Sequence, residues 1–423
     1  MPHCALFTSK TVNQMSKPIV YQVDLRPMDV FFFGGEQHFG EGEDSNYFVH
    51  SNFYPQQSGV LGMLRHQLLI QNDCIPVKGN ETKASGLIGE ESYNINGEVT
   101  TYGSILNISP IFISKEQDLL FPEAFEYYFD KIKDKEKKKD KTNTKDTETL
   151  SQVEISFKGS GQTLIYPDVI FPKIVSVGDS YLGKYEIMEL LVTKNGTRFN
   201  YLNNKEFVKK GTLPENGVFT EIGKPGIQKS SRKEKGAKDQ GFYKQFSYTF
   251  PEKTCFTFFV EIDREIAKTF ESGRIMIGGE KSPFHMVVSD YKGKESPFQE
   301  DSGFYKGLYE NRHSSLNKIV CISDCVVCDE IAGHITFMSN TMIDFRNSRT
   351  KVVNTSDYNR MEPKYENVRS KYDSPVRSNK YQLLKKGTVI WVTDTQLDTV
   401  KTIIKKNQHR AIGYNYIKII NHL

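Results

Sequence analysis

Three cysteines in the second half of the chain have a spacing that suits metal or cluster binding. In the pattern Cys321-x3-Cys325-x2-Cys328, three thiolates can hold an iron–sulfur cluster, and His334 would complete a zinc site as fourth ligand. The flanking residues read as strands without a glycine-bearing loop, which favours buried free thiols. We therefore predict no cofactor. A metalloenzyme organised on these cysteines is the alternative, which stoichiometric zinc or a brown colour would favour.

A second candidate for chemistry is His38, which lies in a glycine-rich loop formed by residues 34–42. A histidine in such a loop can act as a general base in catalysis. No second histidine stands beside it, so we predict a loop that binds without catalysing a reaction.

The elements around this loop predict a surface for a polyanion. Residues 21–26 alternate apolar and polar side chains as a half-buried strand does, and residues 30–33 form an apolar cluster before the glycines. After a proline turn, apolar residues recur every fourth position from Val60, which predicts an amphipathic helix with Ser58 as its N-cap. Glycine backbone can approach a phosphate closely and helix N–H groups attract it, so these elements together favour phosphate binding.

Length and composition indicate a protein of two domains. The chain has 423 residues, a net charge of +4 and six cysteines, and it contains no apolar run as long as a membrane helix. Residues 1–17 lack the apolar stretch of a signal peptide, so we expect a disordered or misassigned start and a location in the reducing cytoplasm. We place the domains at residues 18–215 and 216–423.

The middle of the first domain is predicted to be irregular. Residues 72–107 predict loops with short hairpin strands, residues 108–113 a strand, and residues 121–132 a short helix. A highly charged run predicts a disordered loop over residues 131–150, either a solvated insertion or a basic arm that touches RNA. The pair Asn195-Gly196 predicts a hairpin turn.

The second domain repeats one order of elements. Its residues predict a buried strand at 255–263, a short helix at 264–271 and a strand at 274–277 that runs into Gly278 and Gly279. Near the end of the chain a strand, a helix at 395–406 and a glycine loop follow in the same order. The repeated order predicts an α+β fold of two ferredoxin-like (RRM-like) modules with long loop insertions, whose sheets are a familiar platform for RNA.

Four short stretches resemble a known family. They are residues 23–33 with the following glycine loop, residues 53–65 with a proline turn and Gly-x-Leu-Arg, residues 277–280 (Ile-Gly-Gly-Glu), and residues 384–389 together with Gly413-Tyr414-Asn415. In this order they resemble the RAMP proteins of CRISPR systems, in particular the family of the third subunit of the type III-B Cmr complex.

The resemblance implies a non-catalytic, RNA-binding subunit of an antiviral ribonucleoprotein. Such a subunit holds the repeat-derived 5′ tag of the guide RNA (crRNA). It also contacts the large polymerase-like subunit and the backbone RAMP subunits, and it meets target RNA only indirectly. No membrane partner is implied. The resemblance leaves one alternative, a metal-independent RAMP endonuclease that processes CRISPR repeat RNA, with His38 as general base on a 2′-hydroxyl. Cleavage of repeat RNA by the isolated protein, lost on replacing His38, would favour it.

Basic residues interleaved with aromatic ones supply further RNA candidates. Residues 224–235 carry five lysines and arginines on a predicted mobile loop before an aromatic strand, where they would neutralise phosphates, although an ordinary surface loop is the alternative. Residues 346–380 mix basic, aromatic and acidic side chains, so a protein-facing or solvated loop is equally open. Arg65 either faces RNA or pairs with a local acid. The candidate RNA contacts are His38, Gln56, Ser58, Arg65, Lys224, Gly226, Lys229, Arg232, Lys233, Lys235, Gly278, Gly279, Lys281, Arg410, Tyr414 and Asn415.

Overall fold

The fold is taken from a computed structural model of the chain. It describes residues 18–35, 37–38, 47–77, 79–98, 101–132, 147–152, 156–157, 164–165, 174–176, 179–181, 189–202, 217–227, 242–265, 269–278, 280–309, 316–346, 348–349 and 376–421. The predicted disordered start at residues 1–17 lies outside these ranges.

Strands make up most of the described elements. In chain order they are β1 (Ile19–Pro27), β2 (Gln37–His38), β3 (Tyr47–His50), β4 (Ile105–Ile108), β5 (Phe112–Lys115), β6 (Asp118–Pro122), β7 (Tyr127–Ile132), β8 (Thr147–Gln152), β9 (Ser156–Phe157), β10 (Leu164–Ile165), β11 (Ile174–Ser176), β12 (Asp179–Tyr181), β13 (Leu190–Val192), β14 (Arg198–Asn200), β15 (Thr220–Ile227), β16 (Phe242–Thr249), β17 (Thr254–Ile262), β18 (Gly273–Ile277), β19 (Ser282–Asp290), β20 (Asn317–Cys321), β21 (Phe337–Ser339), β22 (Met342–Phe345), β23 (Ser348–Arg349), β24 (Val376–Arg377), β25 (Tyr381–Leu384), β26 (Val389–Val392) and β27 (Ile417–Ile420).

Few helices accompany them in the described ranges. These are α1 (Gln57–Gln71), α2 (Glu81–Ile88), α3 (Asp394–Ile404) and α4 (Asn407–Arg410), with 3-10 turns at Gly303–Tyr305 and Asp329–His334. The fold is therefore mixed α and β and dominated by sheets.

The first large sheet is organised around β1. Its strand order is β14-β13-β6-β5-β17-β1-β19-β18, with β4 also paired to β17. The alternation predicted for β1 is confirmed, because Tyr21, Val23 and Leu25 are buried while the residues between them are not. These side chains share one core cluster with Val60 and Leu64 of α1, so the helix packs by the apolar stripe that the sequence predicted.

The second large sheet is organised around β20 in the same way. Its strand order is β12-β11-β21-β26-β20-β27. Central strand β20 is antiparallel to both β26 and β27, and helix α3, which follows β26 in the chain, contributes Val400 and Ile404 to the core cluster that contains Ile319 of β20. The second large sheet, like the first, thus packs against a helix.

One strand order is common to both large sheets. The first contains the antiparallel run β5-β17-β1-β19 and the second contains β21-β26-β20-β27. Numbered within each set along the chain, both runs read 2-3-1-4. The first sheet draws its strands from residues 19–290, so strand pairing continues across the predicted domain boundary near residue 215.

A smaller sheet, β15-β16-β3-β2, carries the glycine-rich loop. A bridge between Phe31 and Tyr248 joins the loop's start to β16. Gly223 lies inside β15 opposite Phe246, and Lys224 follows it in the same strand, so Lys224 does not belong to the predicted mobile loop.

Several predicted elements differ in the structure. No helix forms at residues 121–132, because Phe121, Ala124 and Phe125 are all buried between sheets, where β6 ends and β7 begins. Residues 72–107 contain α2, a helix missed because only Ala84, Leu87 and Ile88 are buried. The N-cap of α1 is Gln56, not Ser58, and it makes no side-chain capping hydrogen bond.

Two further predictions are corrected in part. The strand expected at residues 108–113 is divided between β4 and β5 around Pro110, which has no N–H to donate. The ends of the loop predicted at residues 131–150 pair with each other as β7 and β8, while residues 133–146 lie outside the described ranges. The helix expected at 264–271 is absent from its described residues, 264–265 and 269–271.

The strongest local signals are confirmed. The hairpin at Asn195-Gly196 joins β13 to β14, with Gly196 at φ +81°. The predicted strands at residues 255–263 and 274–277 correspond to β17 and β18, and the predicted C-terminal helix corresponds to α3.

Candidate functional site

A groove of about 1310 Å³ lies between the glycine-loop edge of the first sheet and the β22–β25 hairpin of the second half. We call it the inter-sheet groove. Residues 33–35 and 50–56 line one side, and residues 342–346 line the other together with charged side chains near β25. The charged lining residues are His50, Glu221, Asp324, Asp344, Arg346, Lys380, Lys385 and Lys386.

Glycine is required at the first wall of the groove. Gly34 has φ +73°, and a Cβ on Gly35 would lie 1.7 Å from the His50 carbonyl oxygen. Gly278 has φ +84°, and its Cβ would lie 2.9 Å from the Phe32 carbonyl oxygen. Gly278 is not among the residues that line the groove, and it packs against Phe32 and Phe33, directly before the glycine loop.

The turn into α1 is fixed by contacts on both sides. Asn52 N donates to Gly34 O at 2.6 Å, which holds the turn against the glycine loop. Gln57 Nε2 donates to Gly413 O at 3.1 Å and to Ser109 O at 3.3 Å. Because a Cβ on Gly413 would lie 2.4 Å from Gln57 Nε2, this approach also depends on glycine. The groove wall is thus anchored to both halves of the chain.

Two of the lysines that line the groove already form ion pairs with acidic side chains. Lys380 Nζ lies 2.6 Å from Asp344 Oδ2, and Lys385 Nζ forms an ion pair with Glu189. Among the described residues, no ion pair involves Lys386 or Arg346. Within the described part of the groove, Lys386 and Arg346 are therefore the positively charged side chains available to bind an anionic ligand.

Lys386 is a basic side chain buried in the protein, where its charged form is disfavoured. It is only 8% exposed, and its Nζ lies 3.3 Å from the centroid of the Tyr54 ring. Burial lowers the pKa of Lys386 to about 8, although nearby Asp324 acts in the opposite direction. Asp324 Oδ1 accepts a hydrogen bond from the backbone N–H of Lys386 at 2.9 Å, which fixes the turn. A phosphate in the groove would stabilise the charged form of the lysine and gain a charge-assisted hydrogen bond.

Aromatic rings form the floor beside this lysine. The hydroxyls of Tyr54 and Tyr201 share a hydrogen bond, and burial raises the pKa of both well above the usual range. Phe53 stacks on Tyr248 with ring centroids 4.8 Å apart. The floor is aromatic and uncharged, which suits contact with a base.

The small sheet continues this surface outwards. The His50 ring stacks on Phe246 at a centroid distance of 4.3 Å and an interplanar angle of 5°, and Lys244 Nζ lies 4.8 Å from the same ring. His50 also lies 3.4 Å from Glu221. Exposed Lys244 and Lys224 extend positive charge along β16 and β15.

Residues 23–422 match the family described as CRISPR-associated protein (Cas_Cmr3). The chain belongs to this family. The match covers nearly the whole chain and confirms the resemblance inferred from its four short stretches. A comparison with curated protein sequences finds no match.

Two solved structures similar to this Cas_Cmr3 family member carry related descriptions. One is a chain of "Cryo-EM structure of the Type III-B Cmr-beta bound to cognate target RNA", with 12% identity, TM-score 0.45, and coverage of 94% of this chain and 96% of that chain. The other is a chain of the same complex "bound to cognate target RNA and AMPPnP, state 1", with 13% identity, TM-score 0.43, and coverage of 95% and 99%.

The structure brings together some of the RNA candidates chosen from the sequence of this Cas_Cmr3 family chain. Gln56 lines the inter-sheet groove, Ser58 lies in the first turn of α1, and Gly278 meets the glycine loop. Lys281 is exposed in the turn before β19, and Lys224 is exposed on β15. These residues stay in the proposed RNA surface.

Other candidates are internal. Arg65 is 8% exposed and its guanidinium donates to Gly89 O at 3.2 Å and to Ser92 Oγ at 3.4 Å, so it neither faces a ligand nor forms an ion pair with a described acid. Tyr414 is 1% exposed. Asn415 is fully buried, and its amide bonds the backbone of Val326 and Ile404. We assign these three to packing.

Arg410 also forms its ion pair within the protein. Its Nη2 donates to Glu300 Oε2 at 2.9 Å, and Lys405 Nζ lies 3.0 Å from the same oxygen. Glu300 is 4% exposed, so one buried carboxylate holds two cations between α3, α4 and the 3-10 region.

Replacing Glu300 with glutamine is expected to lower the free energy of unfolding by about 3 kcal/mol, because it leaves two partly buried cations without their counter-charge. Chemical denaturation of the full chain measures the change. Asp301→Asn is the control, since it removes an exposed neighbouring carboxylate. Equal stability of both variants would contradict the assignment.

The remaining candidates lie partly or wholly outside the described residues. The side chain of His38 is not described, although its backbone pairs with Phe48 in β2–β3. The backbone of Gly226 pairs with Tyr243 in β15–β16. Most residues of the segment 346–380 likewise lie outside the described ranges. The candidates with no described position are Lys229, Arg232, Lys233, Lys235 and Gly279.

The sequence analysis missed the residues that matter most in the groove. Lys385 and Lys386 were noted only as part of a family-like stretch, and Asp324 and Tyr54 were not singled out. A lysine pair before a glycine ordinarily reads as a solvated turn. Only tertiary packing buries Lys386, so no local pattern could have distinguished it.

The cysteine pattern gains no support as a metal centre. Cys321 and Cys325 are fully buried, burial raises the pKa of the Cys325 thiol, and His334 Nδ1 lies 2.8 Å from Gln396 Oε1. Within the described ranges, no group of three or more His, Cys, Asp and Glu residues could hold a metal ion. In the same ranges, no helix is long and apolar enough to span a bilayer.

Proposed function

We propose that this chain is a non-catalytic, guide-RNA-binding subunit of a type III-B CRISPR (Cmr) effector and that it holds the 5′ tag of the crRNA. The observation that carries the proposal is the inter-sheet groove, which is lined by Gly34, Gly35 and the buried Lys386, a lysine with no ion pair among the described residues. Family membership supplies the CRISPR context. The large polymerase-like subunit and the backbone RAMP subunits are the proposed protein partners, and through them target RNA.

The architecture supports two modified ferredoxin-like modules. Both large sheets contain the 2-3-1-4 order of antiparallel strands, which a split β-α-β arrangement generates. We propose that the first module spans residues 19–290 and the second follows from residue 316, with β11 and β12 added to its sheet. The groove then lies where the two modules face each other.

The groove can bind a single-stranded tag by three kinds of contact. Backbone at Gly34 allows close approach of a sugar–phosphate chain, since an added Cβ there would meet no atom within 4 Å. Lys386 and Arg346 neutralise phosphates. The tyrosine and phenylalanine floor gives unpaired bases aromatic surface, so recognition requires a splayed single strand.

The test is binding of a labelled single-stranded RNA with the tag at its 5′ end to the purified full-length chain. We expect tighter binding than to an RNA of equal composition with the tag scrambled, and affinity that falls steeply with salt. Replacing Lys224, Lys229, Arg232 and Lys233 together with alanine should weaken tag binding. Equal affinity for both RNAs would contradict the proposed tag recognition.

A further inference from the structure

Two arginines and a histidine lie in a row across the first sheet. Arg26 of β1 stands opposite His285 of β19, and His285 stands opposite Arg274 of β18. All three are exposed. We call this set the cation row. It runs across the strands on the face opposite Leu25, whose side chain is buried in the main core.

Two members of the row, Arg26 and Arg274, carry a fixed positive charge. Among the described residues, no carboxylate forms an ion pair with either arginine. Arg26 lies beside the Cys255 thiol, which Asp24 also approaches. Asp24 accepts hydrogen bonds from Thr257 Oγ1 and Gln22 Nε2. A phosphate on this face would form charge-assisted hydrogen bonds with both arginines.

We propose that the cation row binds phosphates of the guide RNA where the strand leaves the glycine edge and crosses the outer face of the first sheet. This proposal rests on the proposed function and adds a second contact surface to it. Each arginine presents a planar fork of N–H donors that matches a phosphate, and the histidine between them supplies a further donor.

The row is continuous with the glycine edge. Phe32 N donates to Ser282 Oγ at 2.9 Å, and Met28 N donates to Pro283 O at 3.1 Å, which joins the approach to the glycine loop to the start of β19. His285 lies two residues beyond Pro283 on that strand. A chain that lies on Gly34 and Gly278 therefore reaches the row within a few residues' length.

Geometry favours RNA over an acidic strand of a partner protein. The edge strand β18 offers an unpaired backbone, and a strand added there would run alongside it and meet only Arg274. Arg26 lies two strands further in, at about 10 Å. A polyanion that crosses the sheet reaches both arginines, and Met276, 66% exposed on β18, gives a base an apolar surface.

The experiment compares Arg26→Gln/Arg274→Gln with the parent full-length chain. The probe is a fluorescent single-stranded RNA with the tag followed by guide sequence, titrated at several salt concentrations. We expect the slope of log affinity against log salt to become shallower by about 1.4, at about 0.7 for each lost phosphate contact on a single strand. If the double variant is unstable, Arg274→Gln alone, at the sheet edge, replaces it in the experiment. This single variant should give half the change in slope.

Controls separate this proposal from the proposed function. Lys292→Gln/Lys294→Gln removes two exposed charges away from the row and should leave the slope unchanged. An unchanged slope in the row variants, with binding still lost in Lys386→Gln, would overturn the row and leave the groove intact. Unchanged binding in both would overturn both. Unchanged RNA binding with lost capture of an acidic protein subunit would assign the row to that subunit and overturn the proposal.

Discussion

Replacing Lys386 with glutamine is expected to lower affinity for tagged guide RNA by about tenfold to a hundredfold at neutral pH, the effect of losing a charged hydrogen bond of about 1.5–3 kcal/mol. The lysine is buried, aligned by Asp324 and free of an ion pair among the described residues. Its charge is therefore held ready for a phosphate, and the contact needs no rearrangement.

The pH dependence of binding gives this prediction a signature. Because burial lowers the pKa of Lys386 to about 8, the free groove holds a charged lysine below that pH and a neutral one above it. Phosphate binding requires the charged form, so affinity should be constant below pH 8 and then fall by up to about tenfold per pH unit. In Lys386→Gln this decline should be absent.

Stability should change in the opposite direction over the same pH range. An unfolded lysine keeps its proton up to its ordinary pKa of 10.5, whereas the folded chain releases it near 8. Between these values the unfolded state binds more protons, so the contribution of Lys386 to the free energy of unfolding rises with pH. Loss of binding above pH 8 thus cannot be attributed to unfolding by this group.

A matched lysine tests whether the effect is specific to the groove. Lys306→Gln removes an exposed charge elsewhere and should change affinity only slightly. Titration of both variants with the tagged RNA, together with their melting temperatures, decides the matter. Equal affinities for Lys306→Gln and Lys386→Gln would contradict a phosphate site at Lys386.

Replacing Gly35 with alanine is expected to cost about 3 kcal/mol or more of stability and to abolish tag binding. The added Cβ would lie 1.7 Å from the carbonyl oxygen of His50 and 2.9 Å from its carbonyl carbon. Backbone atoms cannot move aside as a flexible side chain does, so the glycine loop must separate from β3. Denaturation and RNA titration of the same preparation measure both effects.

Two other glycines serve as controls for Gly35→Ala. Gly62 lies on α1 with no atom within 4 Å of an added Cβ, so Gly62→Ala should stabilise the helix by up to about 1 kcal/mol. Gly34 has equal space but φ +73°, so Gly34→Ala should cost about 1 kcal/mol through backbone strain alone. Wild-type stability in Gly35→Ala would show that the loop does not contact β3 as described.

The sequence predicted the elements whose signals are local. Alternation identified β1, four-residue periodicity identified α1, and Asn195-Gly196 identified its hairpin. The helix predicted at residues 121–132 was wrong, because the apolar spacing of residues 121–125 fits a helix as well as two strand ends buried between sheets. The repeat of elements was visible in the sequence, whereas the pairing of β1 with strands more than two hundred residues later was not.

The residues of the candidate site likewise divide into those that the sequence alone identified and those whose role depends on tertiary packing. Glycines at positions 34, 35 and 278 were identified because their type alone suggests close approach, and the structure places Gly278 against the residues directly before the other two. Arg65 and Asn415 were misjudged because polar residues usually lie at the surface, whereas here each satisfies buried backbone groups. The importance of Lys386 depends on burial by distant segments, which no local pattern encodes.

Photo-cross-linking of the full-length chain to a tag RNA that carries 4-thiouridine, followed by mass spectrometry of the linked peptides, tests the central claim most directly. The groove account predicts cross-links to residues 50–56 on one wall and to residues 380–386 on the other. Cross-links confined to peptides outside the groove, with both walls unlabelled, would contradict it.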